Sequence, residues 1–255
     1  MTVQSGERRD FVNESITLTQ KTNGLTFGTD AYLLYAYMRK NPKGLAADLG
    51  AGTGIISLLA ASKGKFEKIH AIEIQESFAS LIERNVKENR LDDKIETHCC
   101  AVQNAPSDLF GKFDAVFSNP PYMKKDSGAR NESDEKYIAR HEVCGDIYDF
   151  CASASRLLKY SGSFYAVWRP DRLSDLFDAM KKSKIEPKRM TLVYPDAKSR
   201  PSIVLVEGRL GGASGLLVTK PLIMHPDASE KPLKYTEDLA YIYENGEFTK
   251  EYERA

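Results

Sequence analysis

The sequence predicts an α/β fold: a doubly wound, mostly parallel sheet of seven strands that ends in an antiparallel pair. Three observations predict it. Segments with helical and with strand periodicity alternate along most of the chain. A glycine-rich turn joins the first apolar strand segment directly to a helix-like stretch. Two late apolar runs, Thr191–Tyr194 and Ser202–Gly208, follow one another without a helix between them and are suited to pair. Alternation of this kind places ligands at the carboxyl edge of the sheet. In order, Ile16–Gln20 reads as a short strand after a polar lead, and Asp30–Arg39 as a helix with apolar Ala31, Leu34, Ala36 and Tyr37. Strand, helix and strand follow across Ala46–Ile74. Ser77–Asn89 carries Phe78, Leu81, Ile82 and Val86 on one helical side and is closed by Leu91. Lys94–Cys100 and Phe113–Ser118 are the third and fourth strands. Tyr148–Leu158 is helical, the turn Tyr160-Ser161-Gly162 leads into the strand Ser163–Trp168, and Leu173–Lys182 is the last helix before the final pair. The tail Asp227–Ala255 mixes charge with Tyr235, Tyr241 and Tyr243, and is open between surface strand, helix and partial disorder.

Composition suits one water-soluble unit. The 255 residues, 42% hydrophobic and 28% charged, match the size and balance of a single large α/β domain. No stretch approaches the ~20 apolar residues of a membrane span. Met1–Asp10 is polar with no apolar h-region, so a cytoplasmic location is expected. Cys99, Cys100, Cys144 and Cys151 make no CxxC pair, and the four histidines complete no metal pattern, so reduced thiols and no metal are expected. The 36 basic and 36 acidic residues cancel, yet attraction to phosphate depends on local patches. One such patch is Lys124-Lys125 with Arg130. A second, Lys181-Lys182-x-Lys184 with Lys188-Arg189, is also explained as the wet face of an amphipathic helix.

Two motifs carry chemistry. The first runs from Ala46 to Ala60: an apolar segment, then Asp48-Leu49-Gly50-Ala51-Gly52-Thr53-Gly54, then a helix rich in Ile, Leu and Ala. Glycines at alternate positions let backbone and ligand approach closely, and the helix start offers unpaired N–H groups. The spacing is GxGxG, not the GxGxxG of dinucleotide sites. About 20 residues on, Ile69-His70-Ala71-Ile72-Glu73 reads as a second strand ending in an acid able to accept both hydroxyls of a ribose. The second motif is Asn119-Pro120-Pro121-Tyr122 behind the apolar run Phe113–Ser118. Two prolines remove backbone donors and restrict φ where a strand ends. What they can build is a rigid slot for a planar amine: the Asn119 oxygen and a neighbouring carbonyl accept from an NH2 group, and Tyr122 stacks on its plane.

Taken together, Asp48-x-Gly-x-Gly-x-Gly, Glu73 and Asn-Pro-Pro-Tyr resemble a class I S-adenosylmethionine-dependent methyltransferase that methylates amines. Phe27-Gly28-Thr29-Asp30-Ala31, Ile138-Ala139-Arg140-His141-Glu142, Glu186-Pro187-Lys188-Arg189, Tyr194-Pro195 and Leu205-Val206-Glu207-Gly208 extend the likeness over roughly residues 10 to 226. They are similar to the bacterial tRNA (adenine-N6)-methyltransferase family, of the kind acting on an adenosine beside the anticodon of a valine tRNA. The resemblance implies a Rossmann-like sheet and the cofactor S-adenosyl-L-methionine. It divides the chain into a lead and helix packing on the cofactor site (1–40), a methyltransferase domain (41–226) and the tail (227–255). It further implies cofactor contacts from Thr29, Asp30, Asp48, Gly50, Gly52, Gly54, Glu73 and Ile74. Where many adenine-type enzymes place an acid after the third strand, this chain has Cys99-Cys100-Ala101-Val102-Gln103-Asn104. Main-chain contacts from Ala101 or Val102, or the Gln103 amide, would substitute.

Catalysis is expected at Asn119, Pro120, Pro121 and Tyr122, on an RNA substrate. Lys124, Lys125 and Arg130 would steer the phosphate backbone, and Arg140 and His141 would hold a phosphate or pack the slot. The polar connection Met123–Asp146 is the expected place of substrate recognition. Rival readings use the same residues. A protein glutamine-N5 methyltransferase would place a primary amide in the slot, and an RNA-binding module would keep the fold without catalysis. DNA adenine methylation would call for a separate target-recognition domain, which nothing here resembles. A NAD-dependent dehydrogenase would leave Asn-Pro-Pro-Tyr without a role.

Overall fold

The computed structural model of the protein describes residues 5–13, 16–22, 28–120, 145–229 and 231–253. An antiparallel hairpin, β1 (Glu7–Asn13) and β2 (Ile16–Lys21), stands apart from the main sheet. The sequence announces only β2, because β1 keeps most of its side chains partly or fully in solvent and shows no alternation. The seven expected strands all form: β3 (Asn41–Leu49), β4 (Phe66–Glu73), β5 (Ile95–Cys99), β6 (Phe113–Ser118), β7 (Leu158–Trp168), β8 (Ile185–Tyr194) and β9 (Ile203–Leu210). They lie side by side as β8-β9-β7-β6-β3-β4-β5, and β9 alone runs antiparallel to its neighbours. Two two-residue strands, β10 (Leu217–Val218) and β11 (Leu222–Ile223), pair in parallel with β8 and raise the sheet to nine strands. Such short strands carry no periodicity, so the sequence predicts seven.

Helices cover both faces. On one lie α1 (Thr29–Tyr37), α2 (Ile55–Ser62) and α3 (Glu76–Glu88), packed with Ala46, Ile69 and Ala71. On the other lie α4 (Ile147–Leu157) and α5 (Leu173–Lys182), packed with Ala47, Leu49 and Ile72. Strand alternation thus sends neighbouring residues of β3 into different cores. A capping box starts α4: the Asp146 carboxylate accepts from the Tyr148 and Asp149 N–H groups at 2.9 and 3.2 Å, and Asp149 accepts from the Asp146 N–H at 3.0 Å.

The tail contains α6 (Glu237–Asn245), capped by Thr236, whose hydroxyl accepts from the Leu239 N–H and donates to the Ile223 carbonyl. Leu239, Ile242, Phe248 and Tyr252 belong to the same core as α1. Every residue of α1 from Ala31 to Tyr37 is buried, because the tail covers the side turned away from the sheet: Tyr37 packs on Phe248 at 5.2 Å and Tyr32 on Tyr243 at 4.8 Å between ring centres. Among the described residues no helix is long and apolar enough to cross a membrane.

Candidate active site

The parallel register brings the carboxyl ends of β3, β4, β5 and β6 to one edge, with Leu49 beside Ile72, Glu73 beside Cys99 and Asp48 beside Phe117. The chain leaves β3 through the glycine turn, where the Gly50 and Ala51 N–H groups donate to the Ile72 carbonyl at 2.9 and 3.1 Å. Gly52 and Gly54 both hold left-handed φ, +57° and +80°. A Cβ at Gly54 would press on Ile82 of α3 at 3.2 Å, so this glycine lets α2 and α3 close together. A Cβ at Gly52 would meet nothing within 4 Å, so the turn keeps an open floor.

Glu73 ends β4 under that floor. Its Oε2 accepts from the Gly52 N–H and its Oε1 from the Gln75 N–H, both at 2.9 Å. A carboxylate has about four lone-pair sites, so two such bonds orient the group and leave acceptor capacity. Burial raises its pKa, and the Gln75, Gly52 and Ile74 N–H groups pull the other way. Ile74 therefore reaches the site through its backbone.

Asp48 lies fully buried on the α2 side, where Ser57 Oγ donates to its Oδ2 at 2.7 Å. Its Oδ1 has no hydrogen-bond partner among the described residues. Desolvation pushes its pKa up to about 7, opposed by the Ser57 hydrogen bond and reinforced by the nearby Glu73 charge. An acid whose folded pKa lies above its unfolded value binds protons more tightly in the native state. Its contribution is complete below the unfolded pKa and is lost as pH rises through the folded one. Stability is therefore expected to fall between about pH 4 and pH 7, by at most ~4 kcal/mol from this group. Asp48→Asn should flatten that slope in urea denaturation across the same window; an unchanged slope would assign it to other groups.

Sequence reasoning missed the support beneath the turn. Asn85 of α3 is buried; its Nδ2 donates to the Thr53 and Thr19 carbonyls at 3.1 and 3.0 Å, and its Oδ1 accepts from the Thr19 N–H at 2.9 Å. Asn89 makes the same two-way pair with Thr17 of β2, at 2.9 and 2.7 Å. Two amides one helical turn apart thus act as a strand edge for β2 and tie the hairpin to the glycine turn. Spacing alone gives Asn85 and Asn89 as one helix face; only the partner strand shows their purpose.

Across the edge, β6 delivers Asn119. Ser118 Oγ donates to the Leu49 carbonyl at 2.7 Å and pins the end of β6 to the end of β3. Asn119 Nδ2 donates to Asp30 Oδ2 at 2.9 Å. An ionised carboxylate only accepts, so this bond places the amide nitrogen toward Asp30 and makes the oxygen the other, acceptor end of the group. Asp30 Oδ1 takes the Ala31 N–H at 2.9 Å, at the start of α1. Thr29, one residue earlier, is exposed in the first turn of α1. Pro120 follows Asn119 and is buried. Pro121, Tyr122, Lys124, Lys125, Arg130, Arg140 and His141 lie outside the described residues.

Gln103 sits in a single 3-10 turn, Val102–Asn104, just after β5. Its Oε1 is buried with no partner among the described residues, while its carbonyl accepts from Arg156 Nη2 at 2.9 Å. Three features fit a nucleoside-bearing cofactor at this edge: the open floor at Gly52, the oriented Glu73 carboxylate and the unpartnered Gln103 acceptor.

One surface expectation changes. Arg189 is no part of a basic patch: it is buried in β8, with Nε 2.9 Å from Glu207 Oε2, because its side chain points into the core beneath α1. The histidines also converge more than their spacing indicates. His70, Glu96 and His98 come within 4.8 Å of one another across β4 and β5, with His70 Nδ1 2.9 Å from His98 Nε2. Glu96 is at the same time paired with Lys68 at 2.5 Å.

The chain is similar to several known proteins. The methyltransferase small domain family matches residues 23–182. A tRNA1(Val) (adenine(37)-N6)-methyltransferase of Dyadobacter fermentans is 25% identical over 213 residues, 83% of this chain and 87% of that protein. One of the same name from Porphyromonas gingivalis is 28% identical, over 78% of this chain and 81% of its own. Among solved structures, a predicted O-methyltransferase of Agrobacterium tumefaciens superposes with a TM-score of 0.69 at 21% identity, covering 87% of this chain and 98% of that one. With more than half of its length inside the family match, this chain belongs to the methyltransferase small domain family, and it is an S-adenosylmethionine-dependent methyltransferase.

Proposed function

We propose that the protein methylates the exocyclic N6 amine of an adenosine in RNA, a tRNA residue near the anticodon, in the cytoplasm. The observation that carries this reading is the Asn119–Asp30 hydrogen bond at 2.9 Å beside the glycine turn, which makes an oriented amide acceptor for an amine. The names of the Dyadobacter and Porphyromonas relatives support the same substrate.

When bound, S-adenosylmethionine supplies a methyl group already activated on a sulfonium sulfur. Glu73 would accept the ribose hydroxyls and Gln103 Oε1 the adenine amine of that cofactor, with Gly50, Gly52 and Gly54 letting the backbone approach and Thr29 and Ile74 lining the site. The chain's remaining task is alignment. An adenine amine is a weak nucleophile because its lone pair is delocalised into the ring. Asn119 Oδ1 and the Pro120 carbonyl would accept its two hydrogens, favour a tetrahedral nitrogen and stabilise the positive charge that develops there. With its hydrogens so held, the amine nitrogen would be positioned to take the methyl group the cofactor supplies, and its surplus proton would leave for solvent. Pro121 would hold Tyr122 rigidly, and Tyr122 would stack on the base, worth about 1–3 kcal/mol. The base must first leave its own stack, which is easiest in a single-stranded loop.

Transfer of labelled methyl groups to total tRNA, with nucleosides identified by mass, tests the reading. Labelled N6-methyladenosine is expected; label in protein instead would select the glutamine reading and reject this one. Lys124→Glu with Lys125→Glu should weaken tRNA binding and lower its salt dependence by about one to two counterions. Unchanged affinity and slope would remove these lysines from the RNA surface.

A further inference from the structure

A row of aromatic rings leads from the surface to α1, the helix that carries Asp30. Tyr243 packs on Tyr32 of α1, two residues from Asp30, at 4.8 Å and 45°, and on Tyr235 at 5.1 Å and 36°. Tyr235 in turn meets His225 at 5.7 Å and 33°. His225 is buried, with Nδ1 2.7 Å from the Lys234 carbonyl, so that end of the row is held by the backbone. Tyr235, by contrast, keeps 54% of its surface in solvent. If Tyr235 served only to close the core, its ring would be expected to lie wholly against protein; it sits between Tyr243 and His225 in the row, yet more than half of it meets solvent.

The loops around it carry the matching charge. Residues 195–202 follow β8 and 224–235 follow β11, both at the carboxyl edge that holds Asn119. They are interlocked: the His225 N–H donates to the Pro195 carbonyl at 2.9 Å and the Ala228 N–H to Asp196 Oδ2 at 3.1 Å. Among the described residues of these loops, Asp196 and Asp227 are engaged internally. Asp196 takes the N–H groups of Lys198, Ser199 and Ala228, and Asp227 pairs with Lys198 and Ser229. Arg200, Lys231 and Lys234 are exposed and make no ion pair among the described residues. Cations flanking an exposed ring are what a single-stranded nucleic acid needs, one for its phosphates and the other for a base.

We infer that Tyr235, with Arg200, Lys231 and Lys234, forms a stacking platform for an unpaired RNA nucleotide flanking the target adenosine. This rests on the RNA reading above. A base on the exposed part of Tyr235 would set the register of the strand, so the next nucleotides run along the carboxyl edge toward Asn119.

The test compares wild type, Tyr235→Phe and Tyr235→Ala in binding of unfractionated bacterial tRNA and in steady-state methyl transfer. Tyr235→Ala should raise both Kd and KM for tRNA about 5- to 150-fold, the range expected for one lost stack. Its kcat and its affinity for S-adenosylmethionine should stay near wild type, and Tyr235→Phe should restore most of the loss. A triple change of Arg200, Lys231 and Lys234 to Glu should weaken binding more at low salt than at high salt. If wild type methylates tRNA and Tyr235→Ala does so with the same KM, the platform is overturned alone. If wild type neither binds nor methylates tRNA while binding the cofactor, the platform falls together with the RNA reading.

Discussion

Asn119→Ala is expected to lower kcat for methyl transfer by at least ~10²–10³-fold while leaving cofactor affinity near wild type. That is the loss seen when one preorganised hydrogen-bond partner of a developing charge is removed, about 2.7–4 kcal/mol. Asp30→Asn should give a smaller loss, roughly 10- to 100-fold, from one hydrogen bond to a charged group. An amide at position 30 both donates and accepts, so it no longer selects which end of Asn119 faces the substrate. Because Asp30 acts through Asn119, the double variant should be no slower than Asn119→Ala alone. Single-turnover rates with bound and free cofactor measured separately distinguish this from lost binding. An Asn119→Ala enzyme with wild-type kcat would sink the amine slot. Equal, additive losses would make Asp30 a direct contact instead of a positioning residue.

The largest effect on stability is expected at Arg189. Its guanidinium lies under α1, with Nε 2.9 Å from Glu207, Nη2 donating to the Tyr37 carbonyl at 2.7 Å and the group 3.8 Å from the centre of the Tyr37 ring. Its Nε is close to Glu207 without the alignment of a hydrogen bond, so charge holds that contact. Nη1 reaches the Tyr252 carbonyl at 3.4 Å, which ties β8 to the tail. Arg39, half exposed, adds a second cation 3.2 Å from Glu207. Removing Arg189 leaves a buried carboxylate with only that outer partner. Arg189→Met should therefore destabilise the protein by about 3–5 kcal/mol. For a chain of this size that lowers Tm by roughly 6–20 °C. Arg189→Met with Glu207→Leu removes both charges and should recover much of the loss. A single variant within ~1 kcal/mol of wild type would show that Arg39 suffices to compensate Glu207.

Much of this was legible in the chain. Periodicity and turn residues are local properties, so the existence and order of β3 to β9 and α2 to α5 follow from spacing. Their bounds do not all follow: β3, β7 and β8 begin five to six residues before the apolar runs that announce them, and Tyr160-Ser161-Gly162, read as a turn, is continuous strand. The glycine turn and Glu73 are legible for a related reason: close approach at Gly52 and an acid at a strand end are local requirements, and parallel register then joins them. Other features were not legible. α1 reads as a helix with one apolar side, yet every residue from Ala31 to Tyr37 is buried, because a tail two hundred residues later supplies its second wall. The tail itself reads as polar and undecided, since Leu239, Ile242, Phe248 and Tyr252 become a helix and its extension only when α1 gives them something to cover.

By itself, then, the sequence determined the doubly wound sheet, the glycine turn after β3 and the position of Asn119 at the end of β6, all set by residues near one another along the chain. Tertiary structure alone decided that Asp30 orients Asn119 from 89 residues away, that Asn85 and Asn89 carry the hairpin, and that Arg189 is an internal charge and not a surface one. Each of these is a hydrogen bond or ion pair between polar groups distant in sequence. Hydrophobic periodicity encodes which face of an element is buried, but it carries no information about which polar partner waits there.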